Sequence, residues 1–488
     1  MINKKKSFAI VIILSILASL CLAAALVILL GLNALSIGNL FAAALTSSYL
    51  MVLFKKRHDD HHLYTQYNLR RIQIPFILIG ILIIPIIATL SISIIYSYEL
   101  YLVIISLLMP LTFINIMFYL PVAIYEKFLN KDVVNNRLLR SIPIISVIVP
   151  AFNEEANIKR TLDSIIDTDY PTKEIIVVDD GSTDLTYAIA TQYMQTSKNC
   201  RITVMRKQNG GKVSAINYGL RFAVGEIIIV VDADSIIERN ALKETAKHFQ
   251  RSGVVAVAGK VKVLNTINFL TNCTALELVL GANLLRPAFS LLGIVMVVPG
   301  ALGGFSKKRL MQCGLYDRNT IAEDFDITVK IAKGGGKIVG MSAVSYTEAP
   351  TTLKSFYKQR SRWYRGIFQT LLKHNDVMKT GRYGLLNRVG YPITFLMFVG
   401  PPFLDIILIA FTVLAIAGAL SVAFLFSFVL FFAFQFLLCG IAIMMEENKE
   451  WKLILYAPFS IIGYKQIMNF IVIKSIFDIV MQRRHYEW

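Results

Sequence analysis

Asp232 and Asp234 stand two residues apart at the end of an apolar, β-branched run, 227–231. A short continuous apolar run closed by turn residues reads as a strand buried on both faces, as in a parallel sheet. Open α/β sheets bind ligands beyond the carboxyl ends of such strands. Carboxylates two residues apart point the same way if strand geometry persists. Hard cations such as Mg²⁺ and Mn²⁺ take carboxylate oxygens and share them with phosphates. The chemistry indicated is a metal–diphosphate site. By itself the pair is more often a solvated turn, so the surrounding elements must decide.

Those elements alternate. Strands are predicted at 144–149, 174–178, 202–205, 227–232 and 254–258, with helices at 156–166, 183–195, 213–223 and 241–250. Strands alternating with helices imply βαβ units and a mostly parallel sheet. The loops after the strands carry Phe152-Asn153-Glu154-Glu155, Asp179-Asp180-Gly181-Ser182 and Gly210-Gly211-Lys212. No G-x-G-x-x-G follows the first strand, and Gly210-Gly211-Lys212-Val213 lacks the upstream glycine and the Ser/Thr of a Walker loop, so a dinucleotide or P-loop reading fails. Further on, the glycine-rich stretch 298–305 would let a ligand approach the backbone or form a hairpin. Glu323, Asp324 and Asp326 precede a helix predicted at 327–333, where acidic residues are ordinary capping. Gln359, Arg360, Arg362, Trp363 and Arg365 follow on a basic, aromatic helical stretch, suited to a membrane surface or to a phosphate and a sugar.

The chain has 488 residues, 55% hydrophobic and 17% charged, with a formal charge of +18. The apolar residues gather in long runs at both ends around a normally charged middle, the pattern of an integral membrane protein carrying a polar domain. Runs at 8–30, 34–54, 72–96 and 100–124 are each long enough to span, giving four transmembrane helices within 1–126. Lys and Arg flank them on one side only, which makes both ends of this block and the domain at 141–378 cytoplasmic, in a multi-pass protein of the cell membrane. An interfacial segment at 379–390 precedes two further spans, 391–417 and 422–445. The run 453–480 carries Lys465, Asn469, Lys474 and Asp478 and reads as interfacial or as facing a protein-lined cavity. The positive charge suits anionic lipid rather than nucleic acid, because much of it sits beside apolar runs. Five scattered cysteines give neither a disulfide framework nor a zinc site. The His58–His62 loop reads as solvated rather than metal-binding.

Taken in order, FNEE, DDGS, GGK, DAD, EDFD and QRSRW over residues 144–366 resemble the inverting glycosyltransferases of family 2, and Gln359-x-x-Arg362-Trp363 resembles their processive branch of membrane polysaccharide synthases (cellulose, chitin, hyaluronan, poly-N-acetylglucosamine). The resemblance implies a GT-A-like nucleotide-sugar domain between transmembrane helices. It implies that Asp179 and Asp180 hold the uracil and ribose of a UDP-sugar, with Glu155 beside the base and Lys212 near the nucleotide. Asp232 and Asp234 would hold Mg²⁺ or Mn²⁺ on the diphosphate, and Asp324 would be the general base on the acceptor hydroxyl of a growing polysaccharide. Gln359 would belong to the substrate site, Arg362 would contact the diphosphate and Trp363 would stack under the acceptor sugar.

Two departures leave the polymer open. Ala322 stands where cellulose synthases carry a threonine, and neither the cellulose-type gating motif nor the hyaluronan-type C-terminal motif is found. The alternatives are a non-processive transferase acting on a lipid-linked acceptor, disfavoured by Gln-x-x-Arg-Trp, and an inactive export channel or scaffold, disfavoured by the intact aspartates. Sugar, linkage and oligomeric state are not legible.

Overall fold

The computed structural model describes residues 44, 119–127, 139, 141–196, 200–402 and 422–481. Apart from Ala44, the first three expected spans, most of the fourth (100–124), the His58–His62 loop and all of 403–421 lie outside them. The chain divides into two compact units, one of 128–278, 289–375 and 474–488, the other of 1–127, 279–288 and 376–473.

The first unit is built on an eight-stranded sheet ordered β3-β2-β1-β4-β7-β6-β8-β5. Its strands are β1 (Ile145–Ala151), β2 (Lys173–Asp179), β3 (Arg201–Arg206), β4 (Ile227–Val230), β5 (Ile236–Ile237), β6 (Val254–Val263), β7 (Gly303–Ser306) and β8 (Lys337–Thr347). β3, β2, β1 and β4 are parallel neighbours, as the alternation implied. Beyond β4 the sheet is mixed. β7 runs antiparallel between β4 and β6, β8 is parallel to β6, and β5 is antiparallel to β8. "Mostly parallel" therefore holds for the first half only.

The central strands bury both faces because both sets of alternating side chains are apolar. Val147, Val177 and Ile229 pack into one core with Ile158, Leu162 and Ile165 of α1 (Ile158–Ile166). Ile148, Ile176 and Ile228 pack into the other with Ala215 and Ile216 of α3 (Lys212–Leu220). Helices α2 (Thr186–Thr196) and α4 (Ala241–Phe249) complete the crossovers. α5 (Phe269–Leu280) continues through a wide turn to Leu292. Among the described residues, Phe269–Leu292 is the one helix long and apolar enough to cross a membrane, and 56% of its most apolar window is buried. α6 (Lys307–Gln312) follows β7. α7 is Glu323–Lys333, four residues longer at its start than the predicted helix, because Glu323, Asp324 and Asp326 form its first turn. α8 is Leu353–Lys373, opened by a capping box between Thr352 and Ser355.

In the second unit, α9 (Val422–Met444) is helical over the expected apolar run. The run 453–480 is not one helix. Gly463 takes φ 95°, in the left-handed region glycine tolerates, and leaves the 17-residue α10 (Tyr464–Val480), shorter than the ~20 residues a span needs; its residues 464–473 belong to this second unit and 474–480 to the first.

Ile229 is fully buried between the two halves of the sheet. Ile229→Ala is expected to cost about 2–5 kcal/mol. Denaturant unfolding of the detergent-solubilised chain checks this, and a loss below about 1 kcal/mol would contradict the central-strand assignment.

Candidate active site

The loops leaving β1, β2 and β4 lie side by side because these strands are neighbours with one direction. Asn153 takes φ 55° in the first loop. Its side chain accepts from Thr183 N at 2.9 Å, and its own N–H donates to Ser182 Oγ at 2.9 Å. This lacing fixes the two adjacent glutamates differently. Glu155 faces the second loop, accepting from Leu185 N at 3.0 Å. Glu154 faces the aspartate pair: burial raises its pKa, and the charges of Asp234 and Asp232 raise it further. Glu155, expected beside the base, thus lies against the loop that follows β2, while Glu154, which the sequence reading did not single out, feels the charges of Asp234 and Asp232. Adjacent glutamates on a loop give no periodicity by which to choose.

Asp179 and Asp180 end β2, both buried. Asp179 accepts from Ser182 N at 3.3 Å and pairs with Arg206 Nε at 3.1 Å. Asp180 pairs with Lys207 and accepts from Gly211 N at 2.7 Å and Gly210 N at 3.1 Å. Its carboxylate thus shapes the loop that opens α3, where Gly211 takes φ 83°. That loop aims Lys212, the first residue of α3.

Lys212 Nζ lies 2.7 Å from Asp232 and 2.9 Å from Glu323. Burial opposes the ammonium charge, but Asp232, Glu323 and Asp324 outweigh it and hold the pKa well above the ordinary lysine value. Glu323, expected only at a helix start, is therefore part of the site. Burial works against its charge too, but Lys212 and then Arg362 keep its pKa below the ordinary value. Asp324 Oδ2 accepts from Gly300 N at 2.8 Å. Burial pushes Asp324 up to about 7, with Lys212 opposing and Glu323 and Asp232 reinforcing the rise. A carboxylate of that basicity is a competent proton acceptor near neutral pH.

Gly300 is where these groups meet. A Cβ built on it would lie 2.8 Å from Lys212 Nζ, 3.0 Å from Asp324 Oδ2 and 3.1 Å from Asp232 Oδ1. The glycine-rich stretch flagged in the sequence thus brings backbone against the charged centre rather than only closing a hairpin.

The donor set suits a divalent cation shared with a substrate. Asp234 is partly buried, and burial followed by the charge of Asp232 raises its pKa, so its ionised form gains from a cation placed against it. No group of three or more His, Cys, Asp or Glu among the described residues forms a complete cage. Mg²⁺ and Mn²⁺ are commonly held this way, by one or two carboxylates with the remaining ligands from phosphates and water.

The Gln-x-x-Arg-Trp helix forms a second wall. A cavity of about 600 Å³ is lined by Ile321, Glu348, Lys358, Gln359 and Arg362, among others. Gln359 and Arg362 fall on it together because they lie three residues apart on one helix face. Trp363 does not line it. Its ring is 37% exposed and carries the Arg360 guanidinium at 4.5 Å. Arg360 is buried and grips Glu277 with two bonds, of 2.6 and 3.2 Å. Asp326 is buried as well and accepts from Lys373 at 2.8 Å and pairs with His374 at 3.0 Å. It is a structural carboxylate, not a second base.

Gly300→Ala is expected to keep the fold and lower nucleotide-sugar turnover by ~10²-fold, since a displacement of ~1 Å at reacting groups costs that much. Turnover by the purified variant checks it, and near-normal activity would place the chemistry elsewhere.

Comparison with known proteins agrees with this geometry. The family described as Glycosyl transferase family 2 matches residues 146–283, and that described as Glycosyl transferase family group 2 matches 227–444. The poly-beta-1,6-N-acetyl-D-glucosamine synthase of Staphylococcus aureus (strain COL) is 30% identical over 246 residues, 49% of this chain and 59% of the relative. That of Staphylococcus epidermidis is 27% identical over 258 residues, 51% of this chain and 62% of the relative. The chain thus spans about three fifths of the length of these relatives. Among solved structures, the mannosyltransferase PcManGT from Pyrobaculum calidifontis, in complex with GDP-Man and Mn²⁺, aligns over 75% of this chain and 96% of its own, with a TM-score of 0.52 and 21% identity. That likeness shows the mixed-sheet GT-A-like fold. With four of the six motifs at the ends of β1 to β4, the other two on α7 and α8, and the family matches running through the same residues, the chain belongs to glycosyltransferase family 2.

Proposed function

We propose that the protein transfers a sugar from a UDP-sugar to the end of a growing β-linked polysaccharide, with inversion. Transfer is processive, on the cytoplasmic side of the cell membrane, and the product is exported through the protein's own helices. The observation that carries the reading is the convergence at Gly300 of the Lys212 ammonium, a metal-type aspartate and a raised-pKa carboxylate, with a cavity that Gln359 and Arg362 line.

The loops after β1 and β2 receive the nucleoside, with Asp179 and Asp180 toward uracil and ribose. Lys212 and Arg362 supply positive charge to the diphosphate, whose planar-fork partner is the arginine. Asp232 and Asp234 would hold Mg²⁺ or Mn²⁺, which when bound neutralises the leaving diphosphate as a Lewis acid. Asp324 takes the proton of the acceptor hydroxyl as that oxygen attacks the sugar from the face opposite UDP. One base suffices, unlike a glycosidase with two carboxylates flanking its bond. The acceptor lies along α8, in the cavity with Gln359, and reaches Trp363 only where it leaves that cavity. The names of the staphylococcal relatives make UDP-N-acetylglucosamine the first donor to test.

Asp324→Asn keeps size and loses basicity. Transfer is expected to fall ~10²–10⁴-fold with UDP affinity little changed. UDP release measured with Mg²⁺ or Mn²⁺, alongside UDP binding, checks this. Loss of UDP binding with chemistry intact would overturn the assignment of roles. Asp234→Asn is expected to abolish metal-dependent turnover in the same assay, and full activity in EDTA would remove the metal from the reading.

A further inference from the structure

α8 touches the start of α7 at three places along one face. Gly366 is buried in the interior of α8. A Cβ built on it would lie 2.5 Å from Ala322 Cβ and 2.9 Å from Ala322 Cα. No rotamer relieves such a clash, because the atoms are at the backbone of both segments. One turn later, Gln369 Oε1 accepts the Ile321 N–H at 3.3 Å. Another turn on, Lys373 and His374 hold the buried carboxylate of Asp326 at 2.8 and 3.0 Å. Positions 366, 369 and 373 follow helical spacing, so a single stripe of α8 docks on 321, 322 and 326.

Asp324 lies inside that dock, two residues from Ala322 and two from Asp326. Its side chain is held from the opposite side by the Gly300 N–H at 2.8 Å. α8 also carries Gln359 and Arg362, which line the cavity. Glycine inside a helix is unfavourable relative to alanine, so its presence at 366 has a local benefit elsewhere, and the only feature it serves here is close approach to Ala322.

On this basis, and resting on the transferase reading above, we infer that Gly366 and Gln369 are positioning residues. They fix the distance between the base Asp324 and the acceptor that lies along α8. They touch neither nucleotide nor reacting atoms. Their loss acts mainly on the chemical step and changes UDP binding little, because the nucleoside loops hang from β1 and β2 and the metal-type aspartates from β4, so that Arg362 is the one donor contact proposed on α8.

The test measures kcat and KM for UDP-N-acetylglucosamine, and UDP binding, on the full-length chain in detergent or vesicles. Gly366→Ala is expected to lower kcat by ~10²-fold, the usual effect of misplacing a reacting group by ~1 Å, with KM for the donor and UDP affinity within about threefold. Because Gly366→Ala alone might be read as loss of fold, Gln369 supplies a matched pair. Gln369→Glu keeps an oxygen acceptor for Ile321 N–H and is expected to retain most of kcat. Gln369→Leu removes it and is expected to lose about tenfold in kcat without a change in KM. Wild-type kcat in Gly366→Ala overturns the inference. So do equal effects of the two Gln369 variants, or losses that appear in KM and UDP binding instead. If the wild-type chain turns over no nucleotide sugar, the transferase reading itself falls, and the positioning role falls with it.

Discussion

One half-buried lysine holds the charged centre together. Lys212 sits between Asp232 and Glu323, with Asp324 close enough to feel its charge. Asp234 and Glu154 add further negative charge at the same place. Carboxylates this crowded, withdrawn from water, are costly unless compensated. Lys212 neutralises part of the excess. What is left makes the site a receiver of positive charge. In the proposed reaction a divalent cation on the diphosphate would supply it, and metal affinity and the base strength of Asp324 would both follow from this one imbalance.

That lysine is itself placed by a chain of backbone contacts. Asp180 grips the N–H groups of Gly210 and Gly211, Gly211 turns through positive φ, and α3 begins with Lys212 aimed at the centre. Gly300 leaves room from below, its Cβ position already occupied by the three charged groups. From the other side α8 docks on α7 at Gly366. α8 is in turn anchored within its own unit, where Arg360 pairs with Glu277, Arg365 pairs with Asp478 of α10, and Lys474 lies over Tyr357 at 5.0 Å. Lys474 and Asp478, two of the polar residues that interrupt the C-terminal apolar run, therefore have protein partners. In the proposed reaction the nucleoside and the acceptor would meet separate walls, with Arg362 of α8 reaching across to the diphosphate.

Much of this was legible, and the reason is local. β1, β2 and β4 announce themselves because Ile, Val and the residues between them are apolar on both faces, and the loops that follow carry the polar motifs. β7 was not legible as a strand. It is Gly303-Gly304-Phe305-Ser306, with no β-branched residue, and its place between β4 and β6 is decided by close packing rather than propensity. β5, with two residues, and β8, distant in sequence from its partners, escaped for the same reason. Glu323 and Asp326 read as helix-start acids because their partners are remote in the chain. Lys212 and His374 meet them only in the folded state. Glu154 and Glu155 are neighbours whose directions are set by the Asn153 turn, a backbone choice that composition does not encode. The expected spans before residue 119 stand as sequence expectations, outside the described residues.

The account's central claim is a single displacement at the Gly300 centre, with Asp324 as the base. The most direct measurement is the stereochemical course: NMR of the product made by the purified chain from α-linked UDP-N-acetylglucosamine with Mg²⁺ or Mn²⁺, read together with UDP release. The account requires new β-glycosidic linkages in a polymer, one UDP for each sugar added, and loss of both in Asp324→Asn. An α-linked product, or β-linked product undiminished in Asp324→Asn, would contradict it.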